Sequence, residues 1–441
     1  MNGDAGLSRR TFLGASLALS LTPGACASLP PAQEATSGGA QDPGADPIER
    51  SRRAALAVLK PSEKDLDHGL ELHRSSVVFD AYGFSPRAGG DADALERAAK
   101  AGASDAELDD LAEESAMIRC VTDREERDEY KAAWEAAGVT CIFQNAGEEG
   151  QDPLRLIKRL ARFTHVTDRL SEFVAKATTA DDVLAAKKQG RRALVFTTNG
   201  VPLTQQFVST RDELRFVRVF YQLGVRMMHM TYNRRNLLGD GCAEPADAGL
   251  SEFGREAVAE LNRLGVIPDV AHSGYRTSAE TAKASNKPVV ASHTACAALH
   301  KHMRGKPDDV IRAVADSGGY VGICCIPQFL GGAGDIAAMM RHIAHVAQRF
   351  GADHVAIGTD VAHSSRVAAA RAAKLPRRAT PRYEALWPPD PFVATPEAKA
   401  SLAWTNWPLF TVGMVQQGLR DEDIQKILGG NVLRVLRASS A

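Results

Sequence analysis

The sequence predicts an α/β protein, a distorted (β/α)8 TIM-like barrel built as a single domain. Short β-branched runs that end in polar residues alternate with amphipathic stretches from Ser76 onward, the pattern of parallel strands joined by helices. Asp269, His272, His293 and Asp360 fall at or near the C-terminal ends of such runs, where barrel enzymes assemble their sites. The 441 residues, 44% hydrophobic and 24% charged, suit a soluble globular protein with one large core. An open doubly wound sheet shows the same alternation and is the alternative architecture.

The first segment is predicted to be an address. Ser8-Arg9-Arg10-Thr11-Phe12-Leu13 precedes a weakly apolar run to Leu21 and then Ala25-Cys26-Ala27. Residues 1–27 thus form a twin-arginine signal peptide, its apolar part well short of the roughly 20 residues that span a bilayer. Cleavage after Ala27 gives a periplasmic protein with no transmembrane helix. Lipid attachment at Cys26 is the less favoured outcome, because Pro23 makes a poor lipoprotein signal. Residues 28–60, rich in Pro, Ala, Gly and Ser over their first part, are predicted to be a disordered tether.

Residues 61–441 carry the barrel. Its predicted strands are Val77–Tyr82, Met117–Thr122, Thr140–Asn145, Ala193–Thr198, Met227–Tyr232, Ile267–His272, Pro288–Thr294, Tyr320–Pro327 and His354–Asp360. Helical patterns between them include Arg211–Leu223, Gly254–Leu264, Asp308–Ser317 and Asp335–Phe350. Residues 361–400, basic and then proline-rich, are predicted to make an excursion over the barrel mouth, as a lid or a partner surface.

Composition also excludes function classes. A formal net charge of -1 offers no field for nucleic acid. The seven cysteines show neither CxxC nor regular spacing, so no zinc knuckle or disulfide framework is indicated. There is no P-loop and no GxGxxG. The chemistry instead gathers on strand ends. His272 and His293 end neighbouring strands, and adjacent parallel strands lie ~4.8 Å apart, so two imidazoles can converge on one ion. Asp360 can act as ligand, proton acceptor or partner for an ammonium group. Arg304 can clamp a carboxylate through its planar fork. Each also has a plain structural role open to it, as hydrogen-bonding histidine, helix cap or surface cation. His342 and His345 lack the HExxH arrangement and are predicted to be structural.

These residues sit in segments that together resemble the renal (membrane) dipeptidase family, metallopeptidase family M19. The segments are Gly249-Leu250-Ser251-Glu252-Phe253-Gly254-Arg255, Asp269-Val270-Ala271-His272, Pro288–Thr294, His354–Asp360 and Leu428-Gly429-Gly430-Asn431-Val432. The stretch from Leu223 to Cys242 is similar to a bacterial branch of that family. The resemblance implies a distorted barrel, two zinc ions and hydrolysis of dipeptides with free ends. It matches His272 and His293 to two metal ligands, Arg304 to the arginine that holds the substrate carboxylate, and Asp360 to the catalytic aspartate.

The resemblance also marks departures. Tyr82 and Phe84 stand where the family has His-x-Asp, Thr197 falls at the bridging Glu with an apparent insertion soon after, and Tyr232 replaces a substrate-facing histidine. Phenylalanine cannot ligate and a neutral hydroxyl is a poor bridge, so one zinc on His272 and His293 is expected rather than two, and a metal-free site is the other outcome. The expected function is that of an exported zinc-dependent dipeptidase-like hydrolase acting on a small peptide-like substrate, with a homodimer compatible. The alternatives are a different periplasmic enzyme with Tyr82 and Tyr232 in its site, and a catalytically silent homologue that binds a peptide-derived compound.

Overall fold

A computed structural model describes residues 46–147, 153–368 and 387–440, all within the compact unit Ala45–Ala441. The predicted signal peptide, Cys26 and residues 28–45 of the predicted tether lie outside the described residues. So does the middle of the 361–400 excursion.

Among the described residues, ten strands run through the unit: β1 Phe79–Gly83, β2 Cys141–Asn145, β3 Val174–Lys176, β4 Arg192–Thr198, β5 Val225–His229, β6 Ile267–Asp269, β7 Ala291–Cys296, β8 Gly305–Lys306, β9 Val321–Ile323 and β10 Val355–Ile357. They form two parallel arcs, β1-β2-β4-β5-β6 with β3 beside β4, and β10-β9-β7-β8. Backbone bonds join the arcs at both seams. Val270 N donates to Val290 O at 2.8 Å, and Asp360 N donates to Tyr82 O at 3.0 Å. The predicted barrel is therefore closed, and the open-sheet alternative is set aside.

The strands bury both faces. On β2 and β4, Cys141, Phe143, Ala193 and Val195 join Phe79 and Met227 in one apolar cluster. Their alternates Ile142, Leu194 and Phe196 join the other, which includes Trp134 and Phe163 from surrounding helices. That two-residue alternation, with apolar groups on both sides, is what a parallel barrel requires. Phe79 and Phe143 stack at 5.1 Å in the first cluster, and truncating either to alanine is expected to cost about 3–5 kcal/mol.

Two expectations need correction. Met117–Thr122 is not a strand but the end of the helix Asp105–Thr122. Ser104 and Glu107 form a capping box at its start, and Arg119 pairs with Asp123 at 2.5 Å near its end. A short apolar run is ambiguous between strand and buried helix, and the capping decides it. The end of the tether is likewise a helix, Pro47–Leu59, capped by Asp46 with Pro47 in the first turn. It is tied down by Asn406 Nδ2 to Ser51 O and Gln416 Nε2 to Leu59 O, each at 3.0 Å.

The ending Leu428-Gly429-Gly430-Asn431 has a packing reason. A Cβ on Gly429 would lie 2.4 Å from Val77 O. Asn431 Nδ2 donates to Ala352 O and Val355 O, anchoring the last helix at the start of β10. Among the described residues, no helix is long and apolar enough to cross a membrane.

Candidate active site at the barrel mouth

A cavity of about 890 Å³ opens at the C-terminal ends of the strands, its lining including Tyr82, Phe84, Asn199, Tyr232, His272 and Asp360. His272 follows β6, and its Nε2 lies 2.9 Å from His293 Nε2 on β7. His272 Nδ1 donates to Asn233 Oδ1 at 2.7 Å, which leaves its Nε2 as the lone-pair nitrogen. His293 Nδ1 lies 2.8 Å from Ser292 Oγ. Burial first, then the charge of Arg304, pushes both imidazoles well below the usual histidine range, so both are neutral, the form that binds metal.

Asp360 lines the same cavity in the left-handed backbone region, φ 57°, which an aspartate tolerates better than most residues. The strand-end expectation thus brings His272, His293 and Asp360 to one barrel end. Tyr232 also lines the cavity and stacks on His272 at 4.1 Å. Trp387, at the return of the 361–400 excursion, meets Tyr232 edge-on at 5.7 Å and His272 at 6.1 Å.

Arg304 is placed otherwise than expected for a substrate clamp. It is fully buried and is not on the cavity lining. Its guanidinium donates to Ala271 O, to His293 O at 3.1 Å and to His272 Nε2 at 3.2 Å. Among the described residues, the arginines on the cavity lining are Arg87, Arg155 and Arg159; the last two pair with Glu113, whereas the Arg87 guanidinium lies 4.6 Å over the Phe84 ring. No spacing in the sequence points to Arg87, since it lies in a loop beyond β1.

The remaining positions bear on how a metal would fit. Tyr82 O–H donates to Asn199 Oδ1 at 2.6 Å, and burial followed by the charge of Asp360 raises it well above the usual phenol range, so it stays protonated. Phe84 offers no donor atom. Thr197 Oγ1 is buried without a hydrogen-bond partner. The donor chemistry therefore suits a single ion on the imidazole pair and does not suit a second ion on Tyr82 and Phe84. Sequence reasoning passed over His229, the last residue of β5. It is fully buried, with Nε2 2.7 Å from Asp269 Oδ2. Burial raises the Asp269 carboxyl, but the neighbouring His229 imidazole and bonds from Ser292 outweigh it and hold it low.

Comparison with known proteins bears on the family and the fold. The sequence profile of the membrane dipeptidases, peptidase family M19, matches residues 115–370. Dipeptidase tcpJ of Claviceps purpurea (strain 20.1) is 28% identical over 278 residues, 62% of this chain and 57% of that protein. The match thus spans less than two thirds of that relative's own length. An amidohydrolase from Pseudomonas aeruginosa superposes with a TM-score of 0.62 at 24% identity, over 84% of this chain and 98% of that one. A metallo peptidase from Rhodobacter sphaeroides, liganded with a phosphinate mimic of the dipeptide L-Ala-D-Ala, does so at 0.58 and 17%, over 83% and 100%. The two structures speak for the fold, and the profile, which spans more than half of the sequence from before β2 to beyond Asp360, shows that the chain belongs to the membrane dipeptidase family of metallopeptidases.

Proposed function

We propose that the protein is an exported zinc-dependent hydrolase that cleaves a dipeptide or related small peptide-like substrate in the periplasm. The observation that carries this is the convergence of His272 Nε2 and His293 Nε2 at 2.9 Å, with His272 Nδ1 tied to Asn233, beside a cavity of about 890 Å³ with ample room for a dipeptide. Zinc, when bound there, supplies Lewis acidity toward water and the scissile carbonyl. Asp360 takes the proton of the attacking water. Arg87 takes the substrate carboxylate, and Tyr232 with Trp387 walls the side chain. Export by the twin-arginine route is supported by Arg9-Arg10 before the short apolar run.

The test is metal content of the purified protein by mass spectrometry, together with a panel of dipeptides with free and blocked ends. Near-stoichiometric zinc and hydrolysis restricted to free-ended substrates are expected. No zinc after supplementation and no hydrolysis would replace this proposal with the catalytically silent one. That second reading has its own support, because Arg304 Nη2 stands 3.2 Å from His272 Nε2 and a second cation there competes with the ion. Replacing Arg9 and Arg10 by lysine should hold the precursor in the cytoplasm, and unchanged export would remove the twin-arginine assignment.

A further inference from the structure

Three buried groups on consecutive strands stand together, one of them His293 of the imidazole pair. His229 ends β5 and its Cα is the register partner of Asp269, which ends β6. Asp269 in turn bridges Val290, which leads into β7 and His293. Side chains at equal register on parallel strands leave the sheet on the same side, so the imidazole and the carboxylate emerge together.

Their ligand atoms all lie within 4.8 Å of one another, and all three residues are fully buried. His229 Nε2 and Asp269 Oδ2 face each other as a buried ion pair at 2.7 Å without the alignment of a hydrogen bond, and His229 Nδ1 has no hydrogen-bond partner. Buried polar atoms left this way carry a desolvation penalty that a bound ion would remove. Asp269 is also aimed: Oδ1 accepts from Ala271 N at 2.9 Å and Ser292 N at 3.0 Å, which fixes Oδ2 toward His229. A tetrahedral ion holds N and O donors at about 2.0–2.2 Å and so spaces them roughly 3.3 Å apart. The contacts here bracket that spacing.

We propose that His229, Asp269 and His293 bind one divalent transition-metal ion, through an imidazole nitrogen of each histidine and Asp269 Oδ2, with His272 beside it. Two imidazoles and one carboxylate suit zinc, cobalt or manganese. The proposal rests on the zinc-dependent reading above for the expectation of an ion; it keeps His293 and sets His229 and Asp269 in place of His272 as the other protein donors.

The test uses the full chain loaded with zinc, or with cobalt as a visible probe, in parent, His229→Asn, Asp269→Asn and His272→Ala forms. Asn at 269 keeps the Oδ1 acceptor for Ala271 N and Ser292 N, and circular dichroism confirms the fold of each variant. Bound metal should fall roughly tenfold or more in His229→Asn and in Asp269→Asn, and the cobalt spectrum of whatever remains should change. Loss in His272→Ala as well would add it as a fourth ligand and still support the site. Parent-like metal in a folded His229→Asn or Asp269→Asn overturns the proposal, and with loss in His272→Ala it returns the ion to the imidazole pair. No metal in the parent overturns both readings. Metal lost as proposed without any peptide hydrolysis in the parent leaves this site standing and removes the hydrolase. If His229→Asn does not fold, Asp269→Asn with its cobalt spectrum decides.

Discussion

The ring of Tyr82 lies 3.7 Å, centroid to centroid, from the imidazole of His293, with only 16° between their planes. One strand end thus plates the face of a candidate ligand on another, and the Tyr82 hydroxyl reaches past it to Asn199. An aromatic side chain fills space there that a histidine or carboxylate would leave to a metal ion.

Tyr82→Phe keeps the stack and deletes the bond to Asn199 Oδ1, which is left buried. Stability should drop by about 1–2 kcal/mol with metal content unchanged. Urea unfolding and metal analysis check this; a variant as stable as the parent would show that the hydroxyl contributes nothing to the fold.

Arg304 is expected to matter to the fold more than to substrate affinity. Arg304→Met leaves Ala271 O and His293 O without their buried donor, so a loss of about 3–5 kcal/mol is expected. A variant of parental stability that merely raises KM would restore the substrate-clamp assignment made from sequence.

Arg87→Met should raise KM for free-carboxylate dipeptides by roughly tenfold with little change in kcat, while amidated substrates should be indifferent. Steady-state kinetics on matched pairs of substrates decide it. Equal effects on both members of a pair would remove Arg87 from the site.

Stability should fall in acid for an identifiable reason. His73 and His342 are each pushed down to about 4, chiefly by burial, from an ordinary value of 6.5. Such groups contribute stability that is present above about 6.5 and lost as pH falls through about 4. Asp80, pushed up to about 7 by burial against bonds from Thr359 and Trp404, has the opposite sign. Its contribution is complete below about 4 and lost as pH rises through about 7. His342→Gln should therefore shrink the difference in urea midpoint between pH 7 and pH 5, and Asp80→Asn should enlarge it. Unchanged differences in both would mean that these groups do not titrate as described.

Much of this molecule was legible in one dimension. The alternation of β-branched runs with amphipathic stretches was enough for a parallel α/β fold, because a parallel strand must bury both faces and its helix must bury one, while closure into a barrel is decided by the bonds at the two seams. The strand-end positions of His272, His293 and Asp360 were enough to bring them to one mouth. Pattern alone makes a strand of Met117–Thr122 and a tether of Pro47–Leu59, and both are helical, since capping and docking onto Asn406 and Gln416 decide what short or mixed stretches become. Only the tertiary structure could set His229 beside Asp269, forty residues away, because strand register is fixed by packing and not by spacing along the chain. It alone showed that Arg304 points inward and Arg87 toward the cavity. An arginine's charge and reach are written in its side chain, whereas its partner is chosen by which carbonyls and imidazoles the closed barrel leaves unsatisfied around it.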